Sequence, residues 1–297
     1  MLAALVALIL AAPAPEHTPS IHTAAEAPAA AAFAVHVSGA GPDVLLIPGL
    51  ACSSEVWDPV VAHLAKSHRV HVFMLAGFAG QPRLPADAPM VATVREALAR
   101  YIVENKLEKP VVVGHSLGGV LALWLAAEKP ELVGGVVAVD GVPFLPALFD
   151  PSATADSARG QAEAMRAQMR QLTQAQYAAN SRMSVASMVK AEADVDRIAA
   201  WGARSDPSAV GDAMAELMTT DLRPAMARVT APVLELAAAD FARDDESRKE
   251  IAARYESQLA KAPHHRVILA THARHFIMMD DLPFLLAQLD GFLAEKR

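Results

Sequence analysis

The sequence has little cysteine and no concentration of positive charge. Cys52 is the only cysteine in 297 residues, so the chain can form no internal disulfide and matches no cysteine-based metal spacing. The formal net charge is −7, and no cluster of Lys and Arg occurs, which argues against a nucleic-acid partner. With 53% hydrophobic and 20% charged residues, the composition predicts a packed globular core rather than disorder.

The N-terminus is apolar but lacks the Lys or Arg that usually begins a secretory signal. Residues 1–12 are an unbroken apolar run, too short to span a bilayer, and small residues follow it that suit a signal peptidase. Residues 13–32 are rich in Ala and Pro, which is typical of a linker. We therefore predict that residues 1–32 are a signal-peptide-like segment and linker, that the protein is periplasmic or secreted, and that the mature chain has no stable membrane span. A cytoplasmic protein with an Ala-rich leader is the alternative.

From residue 33 onward, short apolar segments alternate with segments of helical spacing. The apolar segments carry their apolar residues consecutively, which is typical of strands covered on both faces; they are residues 43–47, 69–74, 110–113 and 133–139. Alternation of strand and helix predicts an α/β fold with a parallel sheet and right-handed crossovers. The alternation stops over residues 143–224, which are helical throughout. We predict an α/β core of residues 33–142 and 225–297, with residues 143–224 as an all-helical lid.

A candidate nucleophile lies between a predicted strand and a predicted helix. The motif is Gly114-His115-Ser116-Leu117-Gly118, directly after the strand of consecutive valines. A turn this tight forces Ser116 into a strained backbone conformation, and the flanking glycines let neighbouring elements approach. The hydroxyl then projects above the carboxyl edge of the sheet, where open α/β sheets bind ligands, near the positive end of the following helix.

On these residues the chain resembles the α/β-hydrolase superfamily, in the lid-bearing branch that includes esterases, proline iminopeptidase-like enzymes and carbon–carbon bond hydrolases. The resemblance extends from about residue 33 to the C-terminus. It implies the α/β-hydrolase fold, a mostly parallel sheet flanked by helices, with the lid inserted after the sixth strand. It also implies Ser116 as nucleophile, and it disfavours dehalogenase and epoxide-hydrolase chemistry, since those relatives need a carboxylate at that position.

The resemblance implies an oxyanion hole made of two backbone amides. One is the N–H of Leu117, the residue after the nucleophile, and the other is the N–H of Leu50 in the loop after the strand of residues 43–47. In that loop, Pro48 replaces the family's usual His, whereas Gly49 and Trp57 match.

The general base implied by the resemblance is a histidine near the C-terminus. His275 is followed by Phe276, an apolar run, an acidic residue and Pro283, which resembles the family's histidine loop. We therefore prefer His275 to His272. No helical pair with a carboxylate supports a metal site among the nearby histidines, so we predict neither metal nor cofactor; these histidines are His264, His265, His272 and His275.

The acid that orients His275 has several candidates. Asp240, which follows a predicted strand, is the best match, although it stands one residue early by strict counting. Asp140, at the end of the strand after the elbow helix, is the alternative used by some relatives. Asp244 and Asp245 are further alternatives, but they fit better at the start of the next helix, where acidic residues are favoured.

The predicted lid is rich in methionine, which suits a pocket for varied apolar groups. Met165 and Met169 share one helix face, and the same pocket could include Phe144, Phe149 and Trp201. The alternative is that the methionines only fill the interface between lid and core. Acidic lid residues either bind a substrate amine or form a solvated face; they are Glu163, Glu192, Asp194 and Glu216.

These residues predict a serine hydrolase that cleaves a small carboxylic ester or related acyl substrate through an acyl-enzyme. A proline iminopeptidase-like aminopeptidase is one alternative. A ligand-binding protein that keeps the fold but does not catalyse is another. The sequence does not determine the oligomeric state.

Overall fold

A single seven-stranded sheet forms the centre of the computed structural model, which describes residues 31–295. The sheet order is β1-β3-β2-β4-β5-β6-β7. β1 pairs antiparallel with β3, and all other neighbours are parallel. The strands are β1 (Phe33–Ser38), β2 (Asp43–Ile47), β3 (Arg69–Leu75), β4 (Val111–His115), β5 (Gly135–Val139), β6 (Val233–Ala238) and β7 (His265–Ala270).

Helices connect the strands. They are α1 (Asp58–Leu64), α2 (Met90–Glu104), α3 (Leu117–Glu128), α4 (Ala155–Gln171), α5 (Gln174–Val185), α6 (Glu192–Ala203), α7 (Pro207–Thr219), α8 (Asp245–Leu259), α9 (Ile277–Asp280) and α10 (Leu282–Ala294). Short 3₁₀ helices cover Ser54–Trp57, Leu145–Leu148 and Arg223–Arg228. The expected α/β-hydrolase architecture, with a mostly parallel sheet between helices, is confirmed.

Both faces of the sheet are buried, which explains why its strands have consecutive apolar residues. In β2, Leu45 and Ile47 belong to one hydrophobic cluster, whereas Val44 and Leu46 belong to the cluster on the opposite face. Successive side chains of a strand point to opposite faces, so a strand between two helix layers needs apolar residues at every position.

The helical insertion, residues 143–224, contains α4 to α7 and lies between β5 and β6. It follows the fifth strand of the described chain rather than the sixth, because only β1 to β5 precede it. Within it α4 packs against α7, and α5 packs against α6. The proposed use of this insertion as a lid, and the domain boundaries drawn from it, stay predictions.

The predicted signal-like segment falls mainly within residues 1–30, outside the described residues, and stays a prediction. Across residues 31–295, none of the helices has the length and apolar character that a membrane span requires. In the same range, no cluster of three or more His, Cys, Asp or Glu is arranged to hold a metal ion.

The topology collects several chain segments at one edge of the sheet. Ser116 directly follows β4, and Asp140 directly follows β5. Asp240 comes two residues after β6, and His275 lies in the loop after β7. Because these four strands are parallel neighbours, their carboxyl ends share one edge, which is where open α/β sheets bind ligands.

Candidate active site

Ser116 occupies the strained turn that the sequence predicts. Its backbone has φ 52° and ψ −116°, a left-handed conformation that side-chain-bearing residues rarely adopt. The turn is held by the amide of Ser116, which donates to the carbonyl of Val139 at 2.9 Å, and by the carbonyl of Ser116, which accepts from Val120 at 3.1 Å. Such strain persists only where the surroundings enforce it, and it is concentrated at functional sites.

The glycines beside Ser116 permit close approach of backbone segments. A Cβ on Gly118 would lie 2.2 Å from the carbonyl oxygen of Ile47, and a Cβ on Gly114 would lie 2.0 Å from the carbonyl oxygen of Gly118. Both obstacles are backbone atoms in regular elements, which cannot rotate away. The G-x-S-x-G spacing is therefore required by packing around the turn.

Replacing Gly118 by alanine is expected to lower the free energy of unfolding by about 1–3 kcal/mol, because the added methyl overlaps the β2 backbone. Urea unfolding followed by circular dichroism measures this change. Gly160→Ala in α4 is the matched control, since nothing lies within 4 Å of its Cβ position. That control should instead gain about 0.5–1 kcal/mol from helix propensity. Equal stabilities of the two variants would contradict the packing argument.

His275 is paired with Asp140. The Nδ1–H of His275 donates to Oδ2 of Asp140 at 2.5 Å, and both side chains are largely buried. This bond leaves Nε2 as the nitrogen that can act on a hydroxyl group. Residues His275, Asp140 and Ser116 all line the same cavity.

Two further groups hold the Asp140 carboxylate. Its Oδ1 accepts from the hydroxyl of Tyr255 at 2.6 Å and from the amide of Ala238 at 2.9 Å. Burial alone would raise the pKa of Asp140, but the hydrogen bonds from His275, Tyr255 and Ala238 lower it below its usual value. Asp140 is therefore ionised at neutral pH and serves as an acceptor for all three donors.

A second carboxyl, Glu235 of β6, is fully buried close to Asp140. Burial, and next the negative charge of Asp140, raise the pKa of Glu235 well above its usual value. Both effects favour the protonated form of Glu235 beside the ionised Asp140.

Asp240, the preferred acid on sequence grounds, does not contact His275, and this expectation is corrected. Its Oδ1 accepts from Nζ of Lys190 at 2.8 Å, and its Oδ2 lies 3.6 Å from Nε of Arg274. The hydrogen bond from Lys190 is the main reason that the pKa of Asp240 is lowered. The carboxylate of Asp240 therefore links Lys190 of the helical insertion to Arg274 of the histidine loop.

The other sequence candidates have structural roles. Asp244 caps α8, since its side chain accepts from the amide of Ser247 at 2.8 Å, and Asp245 forms an ion pair with Arg248 in the first turn. Their expected place at the start of this helix is confirmed. His272 is exposed, and its carbonyl accepts from Nζ of Lys190.

His115, inside the motif, was not singled out by the sequence. Its Nε2–H donates to the carbonyl of His275 at 3.0 Å, and the two rings lie 4.6 Å apart. Burial lowers the pKa of His115 to about 3, and the neighbouring His275 adds to the decrease. The neutral imidazole therefore fixes the backbone of the base at neutral pH.

The buried His115 predicts an acid-side loss of stability. The unfolded chain takes up a proton near pH 6.5, whereas the folded chain does so only near pH 3. Between these values the unfolded state binds one more proton, so the free energy of unfolding falls by about 1.4 kcal/mol per pH unit as the pH falls. Urea titrations at several pH values across this range should show that the free energy of unfolding depends less steeply on pH in His115→Gln. His36→Gln, at an exposed histidine of β1, is the control; an unchanged slope for His115→Gln would contradict the prediction.

The two predicted oxyanion amides both belong to residues that line the cavity. Leu117 is the first residue of α3, so its N–H has no intrahelical acceptor. The N–H of Leu50 lies in the loop after β2, where Ala51 has φ 57° and Cys52 donates to the carbonyl of Gly49. Within residues 31–295, neither amide donates a hydrogen bond to the protein. Both are free to bind a ligand oxygen.

The cavity above Ser116 has a volume of about 520 Å³. Three of the five predicted pocket residues line it: Phe149, Met165 and Met169. Further methionines from the helical insertion and its loops join them, namely Met183, Met188 and Met214. The methionine-rich wall is therefore both a packed interface and the lining of a cavity.

Phe144 and Trp201 do not line the cavity, and these two expectations are corrected. Phe144 is fully buried against Ala147 and Ala153, under the guanidinium of Arg223 at 4.7 Å. Trp201 is buried in the hydrophobic cluster that includes Trp57. Both large side chains are buried in hydrophobic clusters of the protein and do not face the cavity.

Comparison with known proteins identifies the fold family of the chain. The family model described as the alpha/beta hydrolase fold matches residues 42–205, more than half of the chain. The pimeloyl-[acyl-carrier protein] methyl ester esterase of Nitrosomonas europaea is 27% identical over 253 residues, which cover 82% of this chain and 93% of that protein.

Solved structures share the fold at low sequence identity. An esterase from Exiguobacterium antarcticum superposes with a TM-score of 0.70 at 16% identity, over 88% of this chain and 95% of that one. The enol-lactonase from Burkholderia xenovorans LB400 gives 0.65 at 18% identity, over 88% of this chain and 96% of that one.

Proposed function

Because the chain belongs to the alpha/beta hydrolase fold family, we propose that it is a carboxylic ester hydrolase that uses Ser116 as its nucleophile. The similar curated protein is named as a methyl ester esterase, and the similar structures include an esterase and an enol-lactonase. An ester bond is the substrate feature that these names share.

In the first half of the reaction, the Oγ of Ser116 attacks the ester carbonyl carbon while Nε2 of His275 accepts the hydroxyl proton. The carbonyl oxygen gains negative charge, which the amides of Leu50 and Leu117 stabilise. The ionised Asp140 holds His275 in the required tautomer and stabilises the imidazolium that forms. Collapse of the tetrahedral intermediate breaks the ester bond, and His275 gives the proton to the departing alcohol.

In the second half, a water molecule attacks the acyl-enzyme as His275 accepts one of its protons. The same two amides stabilise the second tetrahedral intermediate. Its collapse returns the proton to Oγ of Ser116 and releases the carboxylic acid. The bond broken in each half is an acyl C–O bond, so the net reaction is ester hydrolysis.

The observation that carries this proposal is the 2.5 Å hydrogen bond from His275 Nδ1 to Asp140, at the wall of the cavity that Ser116 also lines. It supplies an oriented base in the same cavity that Ser116, in its strained turn, also lines. Two free amides at the same cavity supply the anion site.

The cavity lining argues against an aminopeptidase. Asp140 is the only carboxylate among the described lining residues, and its oxygens are engaged by His275 and Tyr255. A substrate ammonium group would therefore find no free anionic partner. Of the acidic residues of the insertion, Glu216 instead accepts from the amides of Val91 and Ala92.

A fluorophosphonate probe tests the proposal directly. We expect the folded protein to be labelled on Ser116, located by mass spectrometry of the labelled peptide. It should hydrolyse p-nitrophenyl esters in preference to the p-nitroanilide of proline. A folded, ligand-binding protein without label at Ser116 would identify a non-catalytic member of the family, and preference for the anilide would favour the aminopeptidase.

A further inference from the structure

Large apolar side chains are exposed where the cavity meets solvent. Three of the five exposed large hydrophobic residues of the described chain also line the cavity: Phe149, Met183 and Phe241. They are 45%, 56% and 51% exposed, respectively. We call these three residues the apolar rim.

The apolar rim is assembled from three separate parts of the chain. Phe149 follows the 3₁₀ helix Leu145–Leu148, Met183 lies in α5 of the insertion, and Phe241 lies in the loop after β6. Single exposed hydrophobic residues are normal on protein surfaces, but three that are exposed at the wall of one cavity can also contact an apolar ligand bound there. The other two exposed residues, Val37 and Val103, do not line the cavity.

The apolar surface continues from the rim into the cavity. The residues that line it include Leu148, Met165, Leu172 and Met214. Among residues 31–295, Arg254 is the only cavity-lining residue that is both charged and exposed, and its Nη1 donates to the carbonyl of Leu148 at 3.1 Å. Between Ser116 and solvent, the wall therefore offers mainly hydrocarbon and thioether groups.

The geometry points to an ester of a long, unbranched acyl chain as the substrate class, with the chain running from Ser116 through the cavity and covered at its far end by the apolar rim. This inference rests on the proposed function, since it assigns a substrate to the same site. An apolar chain that contacts the rim removes both its own surface and that of the rim from water, and this gain is absent for a short acyl group. The flexible side chain of methionine suits chains of several lengths.

The test compares two esters on a variant that carries Phe149→Ser, Met183→Ser and Phe241→Ser together. The substrates are p-nitrophenyl butyrate and p-nitrophenyl dodecanoate, both below the concentration at which they aggregate. We expect the ratio of kcat/KM for dodecanoate to that for butyrate to fall by about tenfold or more, because only the longer chain reaches the rim.

Val103→Ser is the matched control, since Val103 is 60% exposed on α2 but does not line the cavity. It should change the ratio by less than about twofold. An unchanged ratio in the triple variant, or an equal loss for both esters while the urea midpoint stays constant, would overturn the inference. Failure of the proposed function is seen separately, as absence of probe label at Ser116 and of butyrate hydrolysis in the unmodified protein.

Discussion

Ser116→Ala is expected to lower kcat for ester hydrolysis by roughly 10⁴- to 10⁶-fold, because the proposed mechanism forms the acyl-enzyme on the hydroxyl of Ser116. The remaining activity would come from the two oxyanion amides and from substrate binding. Stability should change little, since the hydroxyl of Ser116 is not required to hold the turn. The turn depends on the backbone bonds to Val139 and Val120, which alanine retains.

Steady-state kinetics with p-nitrophenyl butyrate, together with urea unfolding, measure both parts of this prediction. Ser257→Ala is the matched control, because the hydroxyl of Ser257 donates to the carbonyl of Arg254 on α8 and does not line the cavity. If Ser116→Ala kept activity within about tenfold of the unmodified protein while the control behaved normally, the serine mechanism would be wrong.

The nucleophile turn was predictable because the forces that define it are local. A run of valines, two glycines and an apolar helix occupy adjacent positions around Ser116, and each constrains the same few backbone dihedrals. The consecutive apolar residues of the strands likewise predicted that both faces of the sheet are buried. The antiparallel pairing of β1 with β3 is different, since it depends on a crossover that no local pattern specifies.

The partner of His275 was not predictable in the same way. Asp140 and Asp240 each follow a strand at the same edge of the sheet, so the sequence places both near the base. The choice depends on which carboxylate faces His275. The hydroxyl of Tyr255, 115 residues away in the chain, donates to Asp140, whereas Asp240 accepts from Lys190 of the insertion. Both determinants are tertiary contacts.

The pocket shows a similar limit. The spacing of Met165 and Met169 correctly predicts that they share a helix face, because helical geometry alone decides it. Whether a large side chain such as Phe144 or Trp201 faces a cavity or the core depends on what packs opposite it. A prediction from composition therefore identifies the type of residue that lines the cavity but not every individual lining residue.

Asp140→Asn is expected to lower kcat by about 10⁴-fold, the scale typical of a lost triad carboxylate. An asparagine side chain is uncharged, so it cannot stabilise the imidazolium of His275. Tyr255 and the amide of Ala238 both donate to Oδ1, so the asparagine has to keep its oxygen at that position because an NH₂ group cannot accept from either. Its NH₂ group then faces Nδ1 of His275, which would hold the ring in the wrong tautomer.

Asp240→Asn is the variant that makes this result decisive, because the two aspartates follow neighbouring strands and only Asp140 contacts His275. Loss of the ion pair with Lys190 should reduce kcat by less than about tenfold, since exposed ion pairs contribute little. The ratio of the two effects therefore reports which carboxylate orients the base. A larger loss for Asp240→Asn than for Asp140→Asn, in variants that unfold at the same urea concentration, would assign the acid to Asp240 and would require the histidine loop to rearrange during catalysis.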